Sequence, residues 1–249
     1  MRTLYQFPLS HFCEKARWLL DHKELDFVAH NLVPGFHRAF ARLKTGQNNL
    51  PILKDDTHWI ADSTEIARYL DETYPEHNLL PNRFGLREEV LHLNHEANLL
   101  GVHVRHWVWS QMIVRNNTSL DTLLGESGYL RKLKKYSKPL VKTLISHGFQ
   151  LDAERLAESK HYILTFAEKF TTQPRYLLAE RLTLADISVC SMLAPLLNIA
   201  GTPWELDSFD RISDEAYAFS LQLQNLPIGQ YVMQIYATER NARVDWHGI

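Results

Sequence analysis

The sequence predicts a small α/β domain with elements in the order βαβαββα, followed by an all-helical domain. Three observations lead there. Short apolar runs alternate with helical patterns over residues 1–76, the period becomes helical almost throughout from residue 87, and 249 residues suffice for two medium domains with real cores. The expected division is therefore 1–76, a linker over 77–86, and 87–249.

Residues 3–7 (TLYQF) suit a buried strand. Residues 12–23 place Cys13, Ala16, Leu19 and Leu20 on one helical face with Glu14, Lys15 and Arg17 opposite, the pattern of an amphipathic helix. A second strand over 27–32 is broken by Pro34-Gly35 before an irregular or helical piece over 36–43. Residues 50–54 and 58–61 read as strands joined across Asp55-Asp56, and 62–74 as a helix ending at Pro75. In the second half, turn signals fall at 116–119, 146–148, 171–174 and 201–203.

With 45% hydrophobic and 22% charged residues and a net charge of −2, the chain has no global field to draw in nucleic acid or an acidic surface. Cys13 and Cys190 fall in different units, which speaks against a disulfide framework and for a reducing compartment. No basic leader precedes an apolar run, and no run approaches the ~18 apolar residues of a membrane span, so a cytoplasmic protein without membrane partners is expected. The basic run 131–138 (RKLKKYSK) reads as a solvated helix face.

Pro8, Ser10, Phe12, Cys13 and Arg17 in the first turn are followed by NLPIL, DSTEIARYLDE and LLAERLTLADISV, in that order and over nearly the full length. On these motifs the chain resembles a cytosolic glutathione S-transferase of the serine type, with SHFC at the active-site turn. PGFHR and LPIGQYVMQIYATER further resemble a bacterial branch of that family. The resemblance implies a thioredoxin-like first domain, a homodimer, glutathione as co-substrate, no metal, and detoxification chemistry in which sulfur attacks a small hydrophobic electrophile.

Such chemistry needs the thiolate, because a thiol of pKa about 8.5 is only a few per cent ionised at neutral pH. A pKa lowered by about two units takes roughly 2.7 kcal/mol, within reach of one hydroxyl hydrogen bond to the anion plus a helix N-terminus. Ser10 has both nearby and is the candidate catalytic residue; a plain N-cap is the competing reading. Cys13 holds the second position of a Cys-x-x-Cys with Ser10 in the first, and its place on the apolar face makes it a buried small residue rather than a redox thiol. Tyr5, a rival hydroxyl, reads as a core residue.

Pro51 resembles the proline that follows a cis peptide in the thioredoxin-like fold, a turn that leaves the Leu50 backbone to pair with the cysteinyl unit of glutathione. A strand that merely starts with proline at a sheet edge is the alternative. Asp62 can accept from the γ-glutamyl ammonium, and the Ser63 hydroxyl with the helix-start N–H groups can hold its carboxylate; Asp62 with Glu65 is also an ordinary capping pattern. The resemblance adds Phe12 and Asn49 to the glutathione contacts, and Trp107 and Trp109 are candidates for a hydrophobic cleft. Thr183 to Asp186 forms a capping box with Leu182 and Ile187 as its staple, a structural motif. His92, Glu96, His103 and His106, with His95 just outside, form a polar stripe better suited to solvent or an interface than to a metal. Two other classes remain open: a non-catalytic glutathione-binding or interaction protein of the same fold, and a glutathione-dependent reductase or peroxidase using Cys13.

Overall fold

The computed structural model describes residues 1–113, 152–205 and 213–249. The turn signals at 116–119 and 146–148 and the basic run 131–138 lie outside the described residues.

Strands β1 (Arg2–Gln6), β2 (Phe27–Asn31), β3 (Ile52–Asp55) and β4 (His58–Ala61) form one sheet in the order β2-β1-β3-β4. β1 and β2 are parallel, as the crossover through α1 (His11–His22) requires, while β3 runs antiparallel to both β1 and β4. The β3–β4 turn places Asp56 at φ 49°, a left-handed conformation that Asp tolerates better than most residues. Helix α2 (Phe36–Thr45) starts after Gly35, and α3 (Ser63–Thr73) stops as Pro75 approaches.

The helical part comprises α4 (Phe84–Val108), continued by a π turn at Trp109–Ile113, then α5 (Ala153–Glu168), α6 (Leu184–Leu193), α7 (Asp214–Gln224) and α8 (Pro227–Glu239). Every residue of α6 is buried, which fits its nearly continuous apolar sequence. The Asp186 carboxylate fixes its start. Oδ2 accepts from the Thr183 N–H and hydroxyl, each at 2.7 Å, and Oδ1 accepts from the Leu177 N–H at 2.8 Å. The α/β and helical parts share one continuous apolar core, in which Leu4, Trp18 and Leu20 belong to the same cluster as Leu100, Val104 and Ile187.

The amphipathic pattern of α1 needs correction. Glu14, Lys15 and Arg17 are as buried as the apolar face, because α1 is enclosed on all sides. Lys15 reaches α3 and α4; Glu14 and Arg17 pair with each other at 2.8 Å, and Glu14 also meets Arg240 at 2.8 Å. From Arg240 the chain runs back along the α/β part. The Ile249 N–H donates to Ala29 O at 2.9 Å, and Ile249 O accepts from the Asn31 N–H at 2.8 Å, so this segment covers the otherwise open edge of β2.

Candidate active site

Strand register brings the predicted residues together. Tyr5 stands opposite Ile52, and Ile52 opposite Ala61. The end of β1, the start of β3 and the end of β4 therefore share one end of the sheet, and the turns carrying Ser10, Pro51 and Asp62 emerge there side by side. Pro51 O accepts from the Asp62 N–H at 3.3 Å, which ties two of these turns directly.

Ser10 is the N-cap of α1. Its backbone is extended, and its Oγ accepts from the Cys13 N–H at 3.3 Å. A hydroxyl that accepts still has its own proton to give, so capping and donation to a ligand anion are compatible. Cys13 is wholly buried, with Sγ accepting from the Phe7 N–H at 3.5 Å. Burial raises its thiol pKa, the wrong direction for a nucleophile. Tyr5 belongs to an aromatic cluster with Phe40, at 4.7 Å between ring centroids, and Trp59, stacked at 5.6 Å.

Asn49 is exposed and Leu50 half-buried, joined to buried Pro51 by a cis peptide bond. Asp62 adopts φ 74°, a conformation rare for residues other than glycine. Its carboxylate holds it there through Oδ1, which accepts from the Thr64 N–H at 2.7 Å and the Glu65 N–H at 3.3 Å. Ser63 is buried, and its Oγ has no hydrogen-bond partner among the described residues.

Beneath this turn lies a polar cluster that local sequence patterns did not reveal. Lys15 Nζ donates to Asn94 Oδ1 at 2.5 Å, Asn98 Oδ1 at 3.2 Å and Thr64 Oγ1 at 3.4 Å. Burial lowers the Lys15 pKa to about 7, with the Asp62 carboxylate opposing the shift. Two turns along α4, His11 Nε2 lies 2.9 Å from Gly101 O, and Phe12 packs over the same glycine. The signal in the sequence was indirect: Asn94, Asn98 and Gly101 interrupt what is otherwise the inward face of α4.

Trp107 is buried in the helical core against Phe219, at 4.9 Å between centroids, whereas Trp109 is half-buried. The histidine stripe divides. His92 and His95 are exposed, Glu96 pairs with Lys169 at 2.8 Å, and His103 stacks on Tyr162 at 4.1 Å. Burial lowers the pKa values of His103 and His106. Among the described residues, no group of three His, Cys, Asp or Glu side chains is arranged to hold a metal, and no helix is long and apolar enough to cross a membrane.

Residues 4–78 match the family model of the glutathione S-transferase N-terminal domain. Among solved structures, a glutathione S-transferase from Rhodospirillum rubrum F11 is similar at 21% identity and a TM-score of 0.54, over 98% of this chain and 96% of that one. The beta-etherase LigF from Sphingobium sp. strain SYK-6 is 18% identical, with a TM-score of 0.58 over 94% of this chain and 98% of its own. A glutathione S-transferase from Methylobacterium radiotolerans, solved with glutathione sulfonate, is 17% identical, with a TM-score of 0.55 over 93% and 94% of the two chains. The fold is thus glutathione S-transferase-like from β1 to α8, with a thioredoxin-like sheet followed by helices, and residues 4–78 match that family's N-terminal domain.

Proposed function

We propose that this protein is a glutathione transferase that holds glutathione at the shared end of the sheet and activates its thiol for attack on a small hydrophobic electrophile. The observation that carries the reading is the convergence of the Ser10, Pro51 and Asp62 turns there, in a segment that matches the family's N-terminal domain.

The Leu50 backbone, just ahead of the first paired residue of β3, pairs with the cysteinyl unit as a short antiparallel strand in this reading. Asp62 uses Oδ1 for the helix start, which leaves Oδ2 to accept from the γ-glutamyl ammonium. The Ser63 hydroxyl and the first N–H groups of α3 take the adjacent carboxylate, with Asn49 and Phe12 flanking the peptide. The Ser10 hydroxyl then donates a hydrogen bond to the sulfur anion and keeps its own proton. The thiolate displaces a leaving group from the electrophile, or adds to it, forming a carbon–sulfur bond; the thiol proton passes to solvent. The apolar substrate lies toward the helical part, with Trp109 as the aromatic wall, since Trp107 is committed to the core.

Titration with glutathione, read by thiolate absorbance in the ultraviolet and by turnover of an activated aryl halide, tests this. Ser10→Ala is expected to leave glutathione affinity nearly unchanged, to raise the bound thiol's pKa by about one to two units, and to slow conjugation at neutral pH roughly ten- to a hundred-fold. Asp62→Ala is expected to weaken binding by about 1.5–3 kcal/mol. Binding without a thiolate signal in the wild type would place the protein among non-catalytic glutathione binders. Activity that survives Ser10→Ala but not Cys13→Ala would move it to thiol–disulfide chemistry, a reading that the burial of Cys13 disfavours.

A further inference from the structure

Four cations among the described residues have side chains that are fully or almost fully buried: Lys15, Arg17, Lys23 and Arg240, the last paired with Glu14 and Asp21. Arg17 pairs with Glu14 at 2.8 Å and Lys23 with Asp71 at 2.6 Å. Lys15 has no carboxylate within ion-pair distance among the described residues; its three contacts are the neutral oxygens of Asn94, Asn98 and Thr64. A buried ammonium held only by neutral acceptors is an incomplete arrangement, because amide dipoles replace lost water but leave the charge unbalanced.

The surroundings show where the balancing charge belongs. Thr64 is in the first turn of α3, and its hydroxyl also accepts from Asn94 Nδ2 at 3.3 Å and Asn98 Nδ2 at 3.1 Å. The residue before it, Ser63, has a buried hydroxyl without a partner among the described residues. The groups facing Lys15 are Asp62 from α3, the two amides from α4, and Ser188 of α6, which donates to Asn94 Oδ1 at 2.9 Å. On its own helix, Glu14 and Arg17 are engaged with each other, Arg240 and Gln6. Among the described residues Asp62 is thus the charge that acts on Lys15, and its Oδ1 is committed to the backbone of α3.

We propose that Lys15 is a buried counter-charge for an anionic ligand group held at the start of α3, so that binding of the ligand draws a proton onto the Lys15 amine. This rests on the glutathione reading above, in which the ligand group is the γ-glutamyl carboxylate. Lys15 is a positioning residue, since Thr64 and the turn of α3 stand between it and the ligand. Burial brings the unliganded amine to about 7, and a carboxylate held at the start of α3 moves that value upward, while the ligand's ammonium on Asp62 offsets part of the rise. Affinity is then highest below about pH 7 and weakens above it, by at most tenfold per pH unit, as proton uptake is added to binding.

The test uses S-methylglutathione, whose sulfur carries no proton, with the full chain at pH 6.5–8, where the ligand's own ammonium stays charged. Calorimetry in buffers of different ionisation enthalpy reads the protons taken up. The expected result is uptake of a fraction of a proton that grows from pH 6.5 to a maximum midway between the free value of about 7 and the raised value of the complex, with affinity falling several-fold between pH 6.5 and 8. Lys15→Met should bind more weakly at pH 6.5 with no uptake. Asn94→Asp, which supplies a fixed carboxylate and keeps the amine charged, should also abolish uptake and serves if Lys15→Met does not fold. Wild-type binding without proton uptake overturns this proposal alone. Absence of binding at millimolar concentration overturns the glutathione reading and this proposal with it.

Discussion

Gly101 decides how closely α4 approaches the turn that carries Ser10. A Cβ there would stand 2.4 Å from Met192 Sδ and 2.8 Å from Phe12 Cζ. Gly101→Ala gains about 1 kcal/mol of helix propensity, but the wholly buried Met192 side chain and the Phe12 ring must both give way, an overpacking cost of about 1–3 kcal/mol. A net loss is expected, read as a lower urea midpoint at unchanged slope. His11, on the other side of this glycine, titrates with the fold. Burial, with Arg105 nearby, lowers its pKa to about 3 against an ordinary 6.5. The unfolded chain takes up this proton first, so the contribution of His11 to stability is complete above pH 6.5 and is lost as the pH falls toward 3. His11→Gln should flatten the decline of melting temperature across that window. Neither effect was legible in the sequence, where Gly101 and His11 lie ninety positions apart and meet only through packing.

At the scale of elements, local chemistry was enough for much of the fold. The βαβαββα order followed from alternation, proline and turn residues, and the capping box of α6 from Thr183 and Asp186 alone. Ser10, Pro51 and Asp62 stood out for the same reason, since each marks the boundary of an element. Helix α1 was misread because periodicity identifies which residues share a face and says nothing about what lies against the other face. Its charged face is covered by α4 on one side and by Arg240 on the other. This has a measurable consequence. Burial alone would push the Glu14 carboxyl up, but Arg240 and Arg17 outweigh it and hold the group at about 2. That contribution to stability is present above the unfolded value of about 4.5 and lost as the pH falls toward 2. Arg240→Met leaves part of this buried charge unbalanced and should cost about 3–5 kcal/mol in denaturant unfolding at neutral pH.

For the whole molecule, the resemblance implies a homodimer through residues 66–69 of α3 and the stretch of α4 from His92 to Trp109. Ile66 and Ala67 are buried within the chain, which leaves Arg68, Tyr69 and the α4 side chains Leu99 and Val102 for such a contact. Leu99, 45% exposed, is the apolar residue of that stretch most open to a partner. Sedimentation at micromolar concentration is expected to give twice the 29.0 kDa chain mass, and Leu99→Lys to shift it toward the monomer. A single sedimenting species at the monomer mass in the wild type would reject the dimer.

The enclosure of α1 bears on how separable the two parts are. In sequence the chain looks like two modules that could be exchanged at the 77–86 junction. Yet α1 finds two of the three Lys15 partners in α4, and Arg240 serves both Glu14 and Asp21, so a first module cut free would turn three charged groups toward water, Lys15 left with Thr64, Glu14 with Arg17, and Asp21 without Arg240. Grafting it onto a different helical half would need the matching amides and arginine as well. Heating should accordingly show one transition with equal calorimetric and van't Hoff enthalpies, the two parts melting together. The glutathione S-transferase-like architecture has a visible seam in its sequence, and in this chain the apolar core and the charged contacts of α1 are stitched across it.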